Sequence, residues 1–146
     1  MKLTTKGRYA VTAMLDIAYH DRGNPITLAE ISSRQNISLS YLEQLFSRLK
    51  KRGLVESIKG PGGGYRLSKD ANNIVISEVI QAVDDNLETT SCNGKANCHN
   101  NKQCISHNLW QDLGIEIKNF LSDVTLQQAI AKNDMGIKEI KMSEYL

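Results

Sequence analysis

The chain has 146 residues, 40% of them hydrophobic and 23% charged, which is room for one ordinary domain and too apolar a balance for intrinsic disorder. No apolar run approaches the roughly 20 residues of a membrane helix, so a bilayer span is excluded. The first residues, Met1-Lys2-Leu3-Thr4-Thr5-Lys6-Gly7-Arg8, carry no apolar core behind their charges, so no secretory signal is expected and a cytoplasmic location is. Three cysteines cannot all pair within one chain, which leaves them for a metal, for redox chemistry or for no chemistry.

The formal net charge of +2 hides a split. Residues 1–70 carry twelve Lys and Arg against six Asp and Glu, whereas residues 71–146 carry six Lys, ten acids and no Arg. Arginine suits phosphate and base-edge contacts, so the first half has the composition of a polyanion binder, or of a solvated charged face.

From Thr5 to about His20, the positions Ala10, Val11, Met14, Leu15, Ile17 and Ala18 fall at helical spacing. Thr4 or Thr5 caps this helix, and Asp21-Arg22-Gly23-Asn24-Pro25 stops it. Thr27-Leu28-Ala29-Glu30 is a capping box that opens a short helix to about Arg34, and Gln35-Asn36-Ile37-Ser38 is a tight turn. Ser40-Tyr41-Leu42-Glu43 is a second box that opens another helix. Leu42, Leu45, Phe46 and Leu49 form its apolar stripe, Tyr41, Glu43, Gln44, Ser47, Arg48 and Lys51 project elsewhere, and Gly53 ends it. This is an ordinary helical hairpin or, given the polar face, a helix-turn-helix.

Leu54–Ile58 and Tyr65–Leu67 alternate as strands about the turn Lys59-Gly60-Pro61-Gly62-Gly63-Gly64. These glycines lack the spacing and the following helix of a nucleotide-binding loop. A basic hairpin directly after a helix-turn-helix is a wing. The expected DNA contacts are Gln44 at a base edge, Ser40 and Tyr41 at backbone or bases, and Arg48, Lys59 and the wing amides at Gly60 and Gly62 on phosphates. Glu43 either accepts from a cytosine amine, or excludes unsuitable sites, or only completes its capping box.

Ile74-Val75-Ile76 leads into a short helix, Ser77 to about Val83, expected on the wing side, and Asp84-Asp85-Asn86 ends it. Residues 87–103 are polar and too poor in apolar side chains to pack by themselves. From about Cys104 a long helix runs to roughly Asp123, with Trp110, Leu113, Ile117, Phe120 and Val124 at 3-4-3-4 spacing and Leu109, Ile115 and Leu121 widening the stripe. So large an apolar face exceeds what one small domain covers, so homodimerisation is expected. A last helix spans about Thr125–Ala131, and residues 132–146 form a tail without a functional signal. The fold class is mainly α: a winged helix-turn-helix (1–83), a cysteine-bearing loop (84–103), a dimerisation helix (104–124) and a short helix (125–131).

The thiols are arranged as Cys92-x5-Cys98-x5-Cys104-x2-His107. Three thiolates and an imidazole one helical turn beyond the last can converge on one metal centre, with His99 as the alternative fourth ligand. The wide spacing suits a two-iron cluster better than structural zinc, whose ligands come in closer Cys pairs, and a thiol switch or inert thiols remain as further readings. No paired-carboxylate cleft, Ser-His-Asp set or nucleotide loop marks an enzyme.

The segments Met1–Ala10, Ile37–Leu45 and Gly60–Tyr65, with the three cysteines and His107, resemble the IscR family of bacterial winged-helix transcription regulators over roughly residues 1–131. The resemblance implies a homodimeric transcription factor that binds palindromic promoter DNA through the helix near Ser38–Lys51 and through the wing. It also implies a [2Fe-2S] cluster held by Cys92, Cys98, Cys104 and His107, and repression of cluster-biogenesis genes when the cluster is present.

Overall fold

A computed structural model of the chain describes residues 4–84, 95–97 and 99–133. Cys92, Cys98 and all but the first two residues of the 132–146 tail lie outside them. Helix α1 spans Thr5–His20, and Thr4 is its cap, the side chain accepting from the Gly7 amide at 3.1 Å. Helix α2 spans Leu28–Gln35, and the Thr27–Glu30 box forms reciprocally, at 3.1 and 2.8 Å. Asn36 ends α2 in the left-handed region, at φ 55°.

Helix α3 spans Leu39–Lys51 and starts earlier than the second box predicts. Its cap is Ser38, whose side chain accepts from the Tyr41 amide at 3.3 Å, and Tyr41 at the third helical position cannot reciprocate as a Glu would. The cause is Ile37, buried just before the cap with its carbonyl held by the Ser32 hydroxyl at 2.6 Å. Core burial of Ile37 together with Leu42 sets the entry of the chain, as in a hydrophobic staple, and overrides the local box. The other end follows expectation. Gly53, at φ 73°, and Leu54 return their amides to the Lys50 and Leu49 carbonyls at 3.0 Å each, a Schellman motif.

Strands β1 (Val55–Ile58) and β2 (Gly64–Leu67) pair antiparallel, with Glu56 opposite Arg66. Tyr65 exchanges both backbone hydrogen bonds with Ile26, at 2.7 and 2.8 Å, which moors the hairpin to the α1–α2 connection. Gly64, at φ 153°, permits this approach, since a β-carbon there would lie 2.6 Å from the Ile26 carbonyl oxygen.

Helix α4 spans Ile76–Val83 and packs on α1, α3 and α5, not on the wing side as expected from sequence. The pull comes from its apolar residues Ile76, Val79, Ile80 and Val83, all buried in the core shared with α1 and α3. Helix α5 spans His107–Asp123 and begins later than predicted, because Cys104 to His107 forms a turn closed by the His107 amide on the Cys104 carbonyl at 3.1 Å. After α5 the chain doubles back. Ile76 donates to Val124 and Leu126 to Ile74, at 2.9 and 3.0 Å. Residues 126–133 are helical, opened by a reciprocal Thr125–Gln128 box that places fully buried Leu126 in the core.

Asp16 is only 3% exposed, and the sequence pattern does not single it out. Arg34 grips its two oxygens at 3.0 and 2.7 Å, and the Gln35 amide adds a bond at 2.8 Å, joining α1 to α2. Burial raises the Asp16 carboxyl, but the hydrogen bonds from Arg34 and Gln35 and the nearby Arg34 and His20 charges outweigh it, so it titrates below its ordinary value. A carboxyl depressed in the folded state contributes stability above its unfolded pKa of about 3.9, and loses it as the pH falls through the lower folded value. Asp16→Asn is expected to cost roughly 3 kcal/mol in urea unfolding at pH 7. The gap to the unsubstituted protein should begin to narrow below about pH 4, where the unfolded carboxyl protonates, and close further as the folded one does.

Candidate nucleic-acid interface and metal centre

The α3 residues divide cleanly. Leu42, Leu45, Phe46 and Leu49 are buried, and Ser40, Glu43, Gln44, Ser47, Arg48 and Lys51 are exposed. Ser40, Gln44, Ser47 and Lys51 lie opposite the buried stripe by helical geometry, with Glu43 on one flank and Arg48 on the other. Tyr41 is half-buried, its ring edge-on to Tyr9 of α1 at 5.6 Å between centroids. Tyr9 is therefore a neighbour of the exposed face that the helix-turn-helix pattern alone does not find. Ser38 is exposed at the helix start, and its hydroxyl is engaged in the cap.

At the hairpin tip Lys59, Gly60 and Gly62 are all exposed. Gly60 and Gly62 take φ of 91° and 75°, conformations open to glycine, and the Gly63 amide closes the turn on the Gly60 carbonyl at 2.9 Å. A side chain at Gly63 would collide with the Ile58 carbonyl, its β-carbon 2.2 Å away, so the tip is narrow by necessity. Lys50 at the end of α3 donates to Ser57 of β1 at 2.8 Å, tying helix to hairpin.

Three of the arginines counted toward the basic half have structural partners. Arg34 holds Asp16, Arg66 pairs with Glu56 across the hairpin at 3.0 Å, and Arg48 donates to the Val83 carbonyl at 2.7 Å. Arg48 thus caps the C-terminal end of α4, where a cation also complements the helix dipole. Glu43 has no basic partner among the described residues, and with Ser38 as cap it stands outside any capping box.

Of the four expected metal ligands, Cys104 and His107 are described. Cys104 is half-buried, and His107 is the first residue of α5 and only 3% exposed. One turn brings them into sequence register, closed by the His107 amide on the Cys104 carbonyl. His99 is exposed and sits in a tight backbone hairpin with Lys102, bonded both ways at 2.9 and 2.8 Å. The only carboxylate between residues 87 and 111 is Glu88, so the strong transition-metal donors of this region are the thiols of three cysteines and the imidazoles of two histidines. Such donors fit iron or zinc and do not fit magnesium or calcium. Ser106, between the two residues, has no counterpart in the ligand spacing.

On α5, His107, Gly114 and Leu121 turn toward the body of the protein. Val124, expected in the apolar seam, packs against the core instead, because its carbonyl is drawn into the pairing with Ile76. Trp110 and Phe120 are 44% and 66% exposed, and Leu113 and Ile117 are half-buried. Leu109, at 62% exposed, joins Leu113 and Phe120 on one helical face.

The profile of the Rrf2 family, described as iron-dependent transcriptional regulator, matches residues 3–132. The chain is 56% identical over 135 residues to the HTH-type transcriptional regulator IscR of Vibrio parahaemolyticus, covering 92% of this chain and 80% of that protein. To the IscR of Yersinia pseudotuberculosis it is 55% identical over 135 residues, covering 92% and 82%. Among solved structures it is similar to CymR, the global cysteine regulator of B. subtilis, with a TM-score of 0.78 and 30% identity over 90% of this chain and 98% of that one. It is also similar to the T. potens IscR, with a TM-score of 0.75 and 31% identity over 91% and 88%. These neighbours share the mainly helical winged fold, and the relatives are named as regulators, not enzymes. With nearly its whole length matched, the chain belongs to the Rrf2 family of iron-dependent transcriptional regulators.

Proposed function

We propose that the chain is a homodimeric transcription regulator that binds palindromic promoter DNA, carries a [2Fe-2S] group on Cys92, Cys98, Cys104 and His107, and represses cluster-biogenesis genes when loaded. Its place of action is the cytoplasm. No helix among the described residues is long and apolar enough to cross a membrane.

The observation that carries the DNA reading is the pairing of an exposed polar face on α3 with an exposed, glycine-built tip beside it, both moored to one core. A helix face of Ser40, Gln44, Ser47 and Lys51 suits a major groove, where a Gln reads adenine by two hydrogen bonds. Lys59 and the amides of Gly60 and Gly62 supply cation and close backbone to phosphates. Arg48 is set aside from this phosphate set, since its guanidinium already holds the end of α4. Glu43, unpaired on a face meant for a polyanion, is read as a specificity residue: it accepts from a cytosine amine or repels sites that offer none.

Dimer binding to a palindromic duplex should weaken steeply with salt, and Lys59→Ala should lower the log–log slope by roughly one per wing. Gln44→Ala should cost about 1–3 kcal/mol at the preferred site and narrow the gap to others. Glu43→Ala should change relative affinities across sites. An affinity indifferent to salt would remove the DNA reading.

The homodimer rests on an apolar face of α5 on which Leu109 and Phe120 are exposed beside half-buried Leu113. Leu113→Lys with Phe120→Lys should sediment as a folded monomer with lost palindrome affinity. An unaltered dimer would place the interface elsewhere.

The metal reading rests on the sulfur and nitrogen donors around Cys104 and His107 and on the names of the relatives. When bound, an iron–sulfur group supplies redox-active iron whose occupancy follows iron and sulfide supply. The burial of His107 at the head of α5 favours it over exposed His99, because a ligand imidazole must be held in one orientation. After anaerobic incubation with ferrous iron and sulfide, His107→Ala should lose or shift the visible spectrum and His99→Ala should retain it. The opposite result would exchange the two assignments.

A further inference from the structure

Ser106 occupies the N-cap of α5, yet its hydroxyl makes no cap hydrogen bond. A serine in that position ordinarily accepts from an amide of the first turn. Here the hydroxyl is turned elsewhere. Its Oγ lies 3.2 Å from the indole Nε1 of Trp110, one helical turn on, and 3.7 Å from Cys104 Sγ.

The chemistry of the three groups orders this chain of contacts. An indole N–H only donates, so Ser106 Oγ is the acceptor of the Trp110 bond. That leaves the single serine proton for another acceptor. A thiolate has no proton and only accepts. With Cys104 in the form that ligates metal, the sequence runs from Trp110 Nε1–H to Ser106 Oγ, and from Ser106 O–H to Cys104 Sγ.

We propose that Ser106 is a positioning residue for the Cys104 ligand: its hydroxyl, oriented by the Trp110 indole, donates a hydrogen bond to the Cys104 sulfur and so sets the electron affinity of the group that sulfur holds. The inference rests on the reading of Cys104 as an iron–sulfur ligand. Hydrogen bonds to ligand sulfur stabilise the more negative, reduced state and raise the reduction potential, and partners behind a ligand fix its direction. Trp110 borders the apolar face of α5 read as the dimer contact. A partner helix laid over that face would keep water from competing for the indole N–H, so assembly and ligand tuning share one side chain.

The test uses the full chain in four forms: unsubstituted, Ser106→Ala, Ser106→Thr and Trp110→Phe, each loaded anaerobically with ferrous iron and sulfide. In redox titrations Ser106→Ala should shift to a more negative potential. Ser106→Thr, which keeps the hydroxyl, should restore the original value. Trp110→Phe should move the same way by less, since the serine proton is then present but no longer oriented. A potential unmoved in Ser106→Ala overturns the proposal, as does a Ser106→Thr shift equal to that of Ser106→Ala.

A second arm needs no cluster. In metal-free Cys92→Ala/Cys98→Ala protein, alkylating Cys104 with iodoacetamide should change the emission of Trp110, the single tryptophan of the chain. Adding Ser106→Ala should abolish that response, and a response that persists overturns the relay. Failure of the unsubstituted chain to take up any cluster would sink the metal reading, and this second arm alone would then decide whether the serine links the two side chains.

Discussion

The burial of Phe46 is the constraint on which the rest of the molecule turns. Its side chain is fully buried on the inner stripe of α3, and its ring meets Tyr65 of β2 at 4.9 Å between centroids. Tyr65 is in turn bonded through its backbone to Ile26, between α1 and α2. Helix, hairpin and the α1–α2 connection therefore share one anchor. Burying a side chain of this size is worth about 1.5–3 kcal/mol, and Leu42, Leu45 and Leu49 add similar amounts. Rotating α3 far enough to present another face would expose several of them at once. The polar face and the hairpin tip are thus held in one mutual orientation, as a surface that must match a groove requires.

Charge is sorted by the same architecture. The basic excess of the first 70 residues is a crude total, because Arg34 is bound to Asp16, Arg66 to Glu56 and Arg48 to the end of α4. What faces outward on α3 and the hairpin tip is a smaller set, led by Lys51 and Lys59. Arginine brings several donors in a planar fork, which suits bracing helices as well as it suits phosphates. Its abundance therefore marks a polyanion binder only after the internal partners have been subtracted.

The cysteine-bearing region begins and ends at braced elements. Val83, at the end of α4, is held by Arg48 of α3. The far end of α5 is held by the pairing of Val124 and Leu126 with Ile76 and Ile74, and by a hydroxyl contact between Ser122 and Ser77 at 3.1 Å. Leu126 carries the chain back into the core. α5 is thereby fixed along α4, while among the described residues Leu109 and Phe120 on its other side stay exposed.

Local sequence determined a good deal. The Thr27–Glu30 box, the Gly53 stop and the glycine-built hairpin tip are decided by neighbours within a few residues, and they form as their patterns dictate. The inner stripe of α3 is legible for the same reason, since helical periodicity is a property of a short window. Other features turned on contacts between residues far apart in the chain. Ser38 displaces Ser40 as the cap of α3 because burial of Ile37 fixes where the chain can turn. Val124 leaves the seam because its carbonyl pairs with Ile76, and α4 lies on α1 because its apolar residues complete that core. Asp16 finds Arg34 across eighteen positions, a pairing no local pattern announces. Ser106 makes no cap bond and lies instead within reach of Cys104 and Trp110, both close in sequence, which the cap position alone does not announce. Propensity and periodicity are short-range and decide elements, whereas burial and polar satisfaction are settled by the whole packed chain and decide what each element offers to a partner.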